Sequence, residues 1–249
     1  MDTLTETFEE RLQEIEAYLD LLEALERQVR DGISPQIGGA LITAQQQRIL
    51  YSSVYLQLYN LIEATVTWCV EAVTTAAIGD GTRLPGHLAA PIRREWVRVT
   101  AKTHKELNPK RRLETAVHMC DQLVQALPVL AWAIDKSHAG NWDDTAIEAI
   151  TKRLGCALHI SSPVYSNVKR KIRDDKGPLA LVRDLRNRLA HGSLSFTECG
   201  DGITVVDLRE IKDKTALYLR EVVASFRTYI DGHEYLAPDQ RPAAGSARA

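Results

Sequence analysis

The longest apolar-rich segment of the chain runs from about Ala44 to Ala77 and contains no glycine or proline. Apolar residues surround most of a helix of this length, which is the pattern of a central, mostly buried helix. The segment lacks the roughly 20 uninterrupted apolar residues that a membrane span requires. Asn60 and Glu63 lie inside it and need partners there, because a buried carboxylate without a partner is costly. The rest of the chain is therefore expected to pack around one helical core.

Periodicity and capping residues predict further helices on both sides of this segment. Apolar residues at steps of three and four predict an opening helix through Phe8 and Val29, with an acidic opposite face. Asn108 and Asp143 each precede a helical pattern and can cap it. Two more helices are expected over 179–190 and 208–230. A short β-hairpin is expected near 193–207, around the turn 199–202.

These elements predict an all-α helical bundle with one small β-hairpin. We expect a single helical domain over residues 1–236. Within it we expect loops at 31–44 and 79–91 and a basic segment at 91–112. A flexible tail is expected at 237–249, where proline, glycine, alanine and serine prevail.

Charge and cysteine content exclude several classes of protein. The chain has 31 Lys+Arg against 33 Asp+Glu, a formal net charge of −2, which argues against bulk coating of nucleic acid. The acidic N-terminus does not resemble a secretion signal. The four cysteines lie far apart, which makes a zinc site unlikely and suggests reduced thiols in a cytoplasmic protein. They are Cys69, Cys120, Cys156 and Cys199.

One short string concentrates the residues that can carry chemistry, Arg183-Asp184-Leu185-Arg186-Asn187-Arg188-Leu189-Ala190-His191-Gly192. Asn187 and His191 are an i, i+4 pair and share a helix face. Asp184 can orient the imidazole or pair with Arg188. Arg186 and His191 are roughly 140° apart around an ideal helix, so they diverge. Local unwinding before Gly192, or a second copy of the chain, would bring them together.

The string resembles the motif of the HEPN superfamily, Arg-Asn-x-x-x-His, in its frequent form that ends in Ala-His-Gly. A bacterial HEPN-like ribonuclease subgroup is also similar in its acidic opening helix and its closing helix. Further similarities lie at Leu58-Tyr59-Asn60-Leu61-Ile62-Glu63, Gly140-Asn141 and Leu154-Gly155. The resemblance covers nearly the whole chain, whereas the stretch 83–112 looks more individual.

The resemblance implies a metal-independent endoribonuclease that acts as a homodimer through the motif-bearing helices. It implies Arg186, Asn187 and His191 as catalytic residues and products with 2′,3′-cyclic phosphate and 5′-hydroxyl ends. The imidazole would move protons, the guanidinium would bind the phosphate, and the amide would hold the imidazole or the ribose. No cofactor and no metal are implied.

The resemblance also implies a setting in bacterial phage defence or as the toxin of a toxin–antitoxin pair. The expected partners are an RNA substrate such as a tRNA or mRNA, a second copy of the chain, and an antitoxin or defence-system protein. No membrane partner is expected. The alternatives are a non-catalytic HEPN module that binds RNA, a nucleotide or a protein, and a helical scaffold whose motif stabilises the dimer.

Residues around the motif have more than one interpretation. Glu63 can be a partner of Arg186 or Arg183, or part of a structural ion pair. The basic end of the motif helix can also simply complement the helix dipole. The candidates for RNA contact or for support of the motif are Arg183, Asp184, Arg188, Glu63, Lys169, Arg170, Lys171 and Arg173.

Charge is distributed unevenly along the chain. Residues 91–112 carry a net +6 and residues 169–188 a net +5. An RNA-facing role is favoured for 169–188, which runs into the motif, and a solvated face is as good an interpretation for 91–112. Trp96, His104 and Tyr165 can stack on bases. Residues 1–30 carry a net −6, a face that can bind a basic partner, contact the other protomer or aid solubility.

Overall fold

The computed structural model describes residues 2–130, 132–136 and 140–242, and helices dominate them. The helices of this part of the chain are α1 (Asp2–Arg30), α2 (Ala44–Ile78), α3 (Ala90–Thr100), α4 (Pro109–Val124), α5 (Asp144–Leu154), α6 (Ser162–Lys169), α7 (Pro178–Ala190), α8 (Phe196–Cys199) and α9 (Val205–Asp231). Short 3-10 helices lie at Pro85–His87 and Pro238–Gln240. The predicted all-α fold class is confirmed.

The β-hairpin predicted near 193–207 is wrong. Ser195 and Glu198 cap each other's backbone N–H groups, at 2.9 and 3.2 Å, and this capping box begins α8 instead. Thr204 and Asp207 do the same at the start of α9, also at 2.9 and 3.2 Å. The segments 195–198 and 204–207 are therefore helix N-termini. The described strands, β1 (Gln36–Ile37) and β2 (Ala40–Leu41), pair antiparallel across the glycine turn of the segment 31–44.

The described residues group into two compact units. The first draws on 2–65, 140–146 and 160–222, and the second on 66–130, 132–136, 147–159 and 223–242. The boundary falls inside three helices, α2, α5 and α9. A single domain over 1–236 with a tail from 237 stays a prediction, and residues 243–249 of that tail lie outside the described residues.

The core of the first unit contains the apolar stripe of α1 and the first part of α2. Phe8, Leu12, Ile15, Leu19, Leu22 and Leu25 are buried, as are Val54, Tyr55, Leu58 and Tyr59. By length and composition α2 is apolar enough to cross a membrane, and half of its most apolar stretch is buried inside the protein.

The acidic face of α1 binds the basic face of α9 in the same chain. Arg220 makes a two-pronged contact with Glu9, at 2.7 and 2.8 Å. Lys212 donates to Glu16 at 2.6 Å, and Arg209 contacts both Asp20 and Glu23. The sequence left three roles open for this acidic face, namely binding a basic partner, contacting the other protomer and aiding solubility. Pairing with α9 of the same chain is none of these, and it accounts for these four carboxylates.

The second unit contains a buried charged pair. Glu95 of α3 is 1% exposed and lies 3.0 Å from Arg153 of α5 and 3.7 Å from Arg98. Burial raises the pKa of the Glu95 carboxyl, and the two arginines oppose that rise. The hydroxyl of Tyr229 donates to the carbonyl of Leu154 at 2.9 Å. α3, α5 and the end of α9 are thus fixed within this unit.

Candidate functional site

The motif helix α7 is fixed at its N-terminus by a close backbone approach. Gly177 is the N-cap and Pro178 the first helical residue, which suits the start of a helix. A Cβ on Gly177 would overlap the carbonyl oxygen of Val168 in α6, so only glycine fits. Leu185 and Leu189 are buried on one side of α7. The polar motif residues therefore lie on its remaining surface.

The C-terminus of α7 fixes the position of His191. The backbone N–H of His191 still donates to the carbonyl of Asn187 at 2.9 Å, as in an α-helix. Gly192 then adopts φ +70°, and Ser193 donates to the carbonyl of Arg188 at 3.0 Å, which is the Schellman motif. The helix therefore continues through the motif to Ala190, and His191 is its C-cap.

Arg186 lies at the centre of a polar network. Its Nη2 lies 3.3 Å from a carboxylate oxygen of Glu63, and its Nη1 donates to the carbonyl of Gly140 at 3.1 Å and to Oδ1 of Asn187 at 2.8 Å. Its guanidinium carbon lies 3.9 Å from the ring centroid of Tyr59, in cation–π contact. The ion pair with Glu63 is half-buried, and it links α7 to α2.

This network does not engage every N–H donor of the Arg186 guanidinium. An arginine has five N–H donors. Three of those of Arg186 have partners, because Nη1 donates twice and Nη2 once. Within the described ranges, the Nε–H and one Nη2–H have none. They can donate to two oxygens of one phosphate while the remaining donors hold the side chain in place.

Sequence reasoning missed the segment that begins at Gly140. The backbone N–H of Gly140 donates to Glu63 at 3.2 Å, and Oδ1 of Asn141 accepts from the side chain of Asn187 at 3.1 Å. The N–H of Trp142 donates to the Tyr59 hydroxyl at 3.2 Å. Burial is the main cause that raises the pKa of this phenol. Gly140-Asn141 carried part of the family resemblance, which was the available signal.

The other polar residues of the motif helix, Asp184, Asn187 and His191, have surroundings different from those of Arg186. Asp184 lies 3.4 Å from Lys176 and 3.8 Å from Arg188, so it pairs with cations rather than orienting the imidazole. The amide of Asn187 is engaged by Arg186 and Asn141. His191 is exposed, and its ring makes no hydrogen bond, ion pair or ring interaction with the described part of the chain. In one chain the motif therefore presents a bound arginine and a free imidazole.

The cations of 169–188 are mostly neutralised within the chain. The ion pairs are Lys169–Asp144, Lys171–Asp175, Arg173–Asp174, Lys176–Asp184, Arg183–Asp143, Arg186–Glu63 and Arg188–Asp184. Among the described residues of this cluster, Arg170 alone makes no ion pair. The proximity of this cluster to the motif therefore does not make it the most available positive surface.

The cations of 91–112 are mostly available. Within the described part of the chain, only Arg98 has an acidic partner, the buried Glu95. The other cations are exposed and make no ion pair with described residues: Arg93, Arg94, Lys102, Lys105, Lys110, Arg111 and Arg112. A groove of about 390 Å³ is lined by Ala90, Arg93, Arg94, Val97, Arg98 and Thr103. We call these seven exposed cations the basic surface.

The three candidate stacking residues differ in exposure. Trp96 is 4% exposed and belongs to the core. Tyr165 is 46% exposed, and its ring lies 5.2 Å from the ammonium of Lys169. His104 is exposed, with Nδ1 3.1 Å from the carbonyl of Arg98. Tyr165 and His104 are thus accessible to a base, and Trp96 is not.

Comparison with known proteins gives one match. The model of the family described as HEPN_MAE_28990-like HEPN matches residues 1–235. No match was found among curated proteins or among solved structures. The matched range includes α7 and every residue of the polar network around Arg186.

Proposed function

Because the chain belongs to the HEPN_MAE_28990-like HEPN family, we propose that it is a metal-independent endoribonuclease that acts as a homodimer. Arg186, Asn187 and His191 are the proposed catalytic residues. Two α7 helices, one from each copy, meet at the proposed dimer interface. The proposed substrate is an RNA such as a tRNA or mRNA.

The observation that carries this proposal is the separation of Arg186 from His191 on an unbroken helix. The i to i−4 hydrogen bond between His191 and Asn187 rules out unwinding before the histidine in the described conformation. Five residues of α-helix turn the two side chains roughly 140° apart. One chain therefore cannot aim both groups at one phosphate, and a two-fold partner supplies the second group.

The proposed reaction is a transesterification within the RNA. His191 accepts the proton of a ribose 2′-hydroxyl, and the 2′-oxygen attacks the adjacent phosphorus. The bond from phosphorus to the 5′-oxygen breaks, and that oxygen takes up a proton from a protonated imidazole. The products are a 2′,3′-cyclic phosphate and a 5′-hydroxyl. An imidazole suits both proton transfers because its ordinary pKa lies near neutrality.

Arg186 stabilises the charge that develops on the phosphate oxygens. Its two free N–H groups can form the two parallel hydrogen bonds that a phosphate accepts. Glu63, Tyr59 and Gly140 hold the side chain in one position before RNA arrives, which lowers the cost of ordering it. Asn187 contributes to this positioning through its side-chain oxygen.

We propose that this activity serves bacterial phage defence or a toxin–antitoxin pair, in the cytoplasm. The support is the family resemblance of the motif and of the matched chain. Expression of the wild type is expected to be toxic to cells, and Arg186→Ala is expected to relieve the toxicity. A protein partner that suppresses activity is expected in either setting.

The first test is cleavage of RNA in EDTA. The wild type is expected to cut, and His191→Ala is expected to be inactive at equal protein concentration. The cut ends should carry a cyclic phosphate, which polynucleotide kinase with phosphatase activity removes. RNA that binds but remains intact across several substrates would instead support the non-catalytic HEPN module.

The second test is a mixture of two inactive variants, Arg186→Ala and His191→Ala. If each site takes its arginine from one copy and its histidine from the other, a mixed dimer has one complete site. Random mixing should then restore about a quarter of wild-type activity, since half of the dimers are mixed and each has one of two sites. No restoration, with dimers shown to exchange, would contradict the site shared between copies.

A further inference from the structure

The basic surface lies within the second unit, on two helices and on the segment that joins them. Its cations come from α3, from residues 101–108 and from the first turn of α4, and α3 contacts α4. The joining segment is folded, because the backbone N–H of Thr103 donates to the carbonyl of Arg98 at 3.1 Å and that of Lys105 to the carbonyl of Lys102 at 2.9 Å. The cations are therefore carried on a folded backbone.

Both helices of the basic surface begin with the charge that a helix N-terminus disfavours. The N-terminal end of a helix dipole is positive, and acidic residues or bound anions stabilise it. Neither α3 nor α4 has an acidic residue in its first turn. The first turn of α4 carries Lys110, Arg111 and Arg112 instead, and Arg93 and Arg94 follow the first three residues of α3. A bound anion would replace this repulsion with attraction.

The groove of about 390 Å³ brings two of these cations together on one side of α3. Ala90, Arg93, Arg94 and Val97 lie three and four residues apart along that side, and Thr103 lines the groove from the segment after the helix. Ala90 is the first residue of α3, so the groove reaches the helix N-terminus, where the N-cap makes no side-chain hydrogen bond. Among the described residues, no group accepts a hydrogen bond from either guanidinium, so all five N–H donors of each are available.

The chemistry of these donors fits a row of phosphates. Four of the seven cations are arginines, whose planar fork forms two hydrogen bonds to one phosphate. A positively charged groove follows the backbone of a single-stranded nucleic acid, which enters a concavity that a flat lipid surface does not enter. His104 is exposed in the same segment as Lys102 and Lys105 and is accessible to an unpaired base. These features favour single-stranded RNA over a lipid surface.

We propose that the basic surface binds the phosphate backbone of single-stranded RNA, with the groove along α3 as part of the path. This inference rests on the proposed function, which supplies RNA as the substrate. It adds a binding site for RNA that contains no residue of the motif. Binding and cleavage can therefore be lost separately.

The experiment is filter binding of a single-stranded oligouridylate to the full-length protein carrying His191→Ala, which leaves the RNA uncut. Arg93→Gln combined with Arg94→Gln is added to this background. Each phosphate contact contributes about 0.7 to the slope of log affinity against log salt for a single strand. The two substitutions should therefore make the slope shallower by about 1.4, and the affinity ratio between the two proteins should shrink about sevenfold from about 50 to about 200 mM salt.

Arg11→Gln combined with Arg27→Gln is the matched control. It removes the same net charge from exposed arginines of α1, but each of these is already paired on its own helix, at 3.1 Å with Glu14 and at 3.7 Å with Glu23. The control should leave the slope unchanged. An equal change of slope in both double variants would mean that RNA responds to net charge alone, and it would overturn the proposed site.

A second pair of substitutions and a cleavage assay separate this proposal from the proposed function. Lys102→Gln combined with Lys105→Gln should make the slope shallower in the same way. With the motif intact, Arg93→Gln combined with Arg94→Gln should raise the KM for RNA, and a fall in kcat with KM unchanged would contradict a binding role. If the wild type cuts no RNA but the slopes change as expected, the basic surface stands and the nuclease fails. If the wild type cuts and the slopes do not change, the nuclease stands and the basic surface fails.

An anionic lipid surface gives a different set of results. The wild type would co-sediment with phosphatidylglycerol vesicles, and Arg93→Gln combined with Arg94→Gln would prevent this while RNA binding stayed equal in both proteins. The basic surface would then bind lipid, and the proposal would be wrong. Equal RNA binding by both proteins without any binding to vesicles would refute it as well.

Discussion

Arg186→Ala and His191→Ala should have the same effect on RNA cleavage but unequal effects on folding stability. Both residues are proposed to act on the same phosphate, so both variants should be inactive. Their surroundings differ, because Arg186 lies in a network and His191 is exposed without a ring contact in the described residues. The free energy of unfolding therefore separates their structural roles.

The expected loss for Arg186→Ala can be worked out contact by contact. The half-exposed ion pair with Glu63 contributes about 0.2–1 kcal/mol. The cation–π contact with Tyr59 adds about 0.5–1 kcal/mol. The hydrogen bonds to Gly140 and Asn187 add about 0.5–1.5 kcal/mol each when buried, and less here, since water replaces them. Taken near the middle of each range, with the two hydrogen bonds reduced for exposure, these contributions add to about 2–3 kcal/mol.

The loss for His191→Ala should stay within about 0.5 kcal/mol, as is usual for an exposed side chain. For a chain of this size each kcal/mol lowers the melting temperature by about 2–4 °C. Arg186→Ala should therefore melt about 4–12 °C lower than the wild type, and His191→Ala within about 2 °C of it. Far-UV circular dichroism at several protein concentrations measures both, because dimerisation makes melting concentration-dependent.

Two results would refute this reasoning. Equal melting temperatures for Arg186→Ala and the wild type would mean that the network around the guanidinium contributes nothing to stability. A large loss for His191→Ala at the lowest protein concentration would mean that the imidazole is held within the chain. The role assigned to a second copy would then lose its basis.

Three further predictions concern the surroundings of the site. Gly177→Ala should lower stability by about 1–3 kcal/mol in a urea titration, since its Cβ overlaps a carbonyl of α6, while Gly86→Ala, with open space around it, should be neutral. Glu9→Gln should make the free energy of unfolding fall less steeply as the pH is lowered through the acid range. An arginine of α9 lowers the Glu9 pKa from its ordinary value of 4.5, so this stabilisation is present above that value and is lost as the pH falls through the lowered pKa. If the basic surface contacts phosphates, Arg93→Glu combined with Arg94→Glu should weaken RNA binding and make it less dependent on salt. Filter binding at several salt concentrations measures both effects, and unchanged binding would exclude this surface.

Short-range patterns in the sequence were sufficient to predict the helices and several of their ends. The caps predicted at Asn108 and Asp143 are present, each accepting a backbone N–H at 2.9 Å. Gly192 ends α7 as its position after the motif indicates. These features depend on residues a few positions apart, which a single sequence displays directly.

Features that depend on distant residues were not accessible in the same way. Glu63 and Arg186 are 123 residues apart, and the sequence left the partner of Glu63 open. The cations of 169–188 are partly neutralised by Asp143 and Asp144, which belong to another segment. The hairpin prediction failed for a local reason, because two capping boxes stabilise helix starts where the turn residues favoured a hairpin.

The ion pairs between α1 and α9 have a consequence for how the protein is synthesised. Glu9 and Arg220 are separated by 211 residues, and the unit that holds the motif is assembled from three separate stretches of the chain. A nascent chain that has just exposed α7 still lacks the basic face that binds α1. Domains fold as units during synthesis, so this unit closes only when α9 leaves the ribosome. The proposed nuclease would therefore stay inactive beside the ribosomal RNA that surrounds it until α9 has left the ribosome.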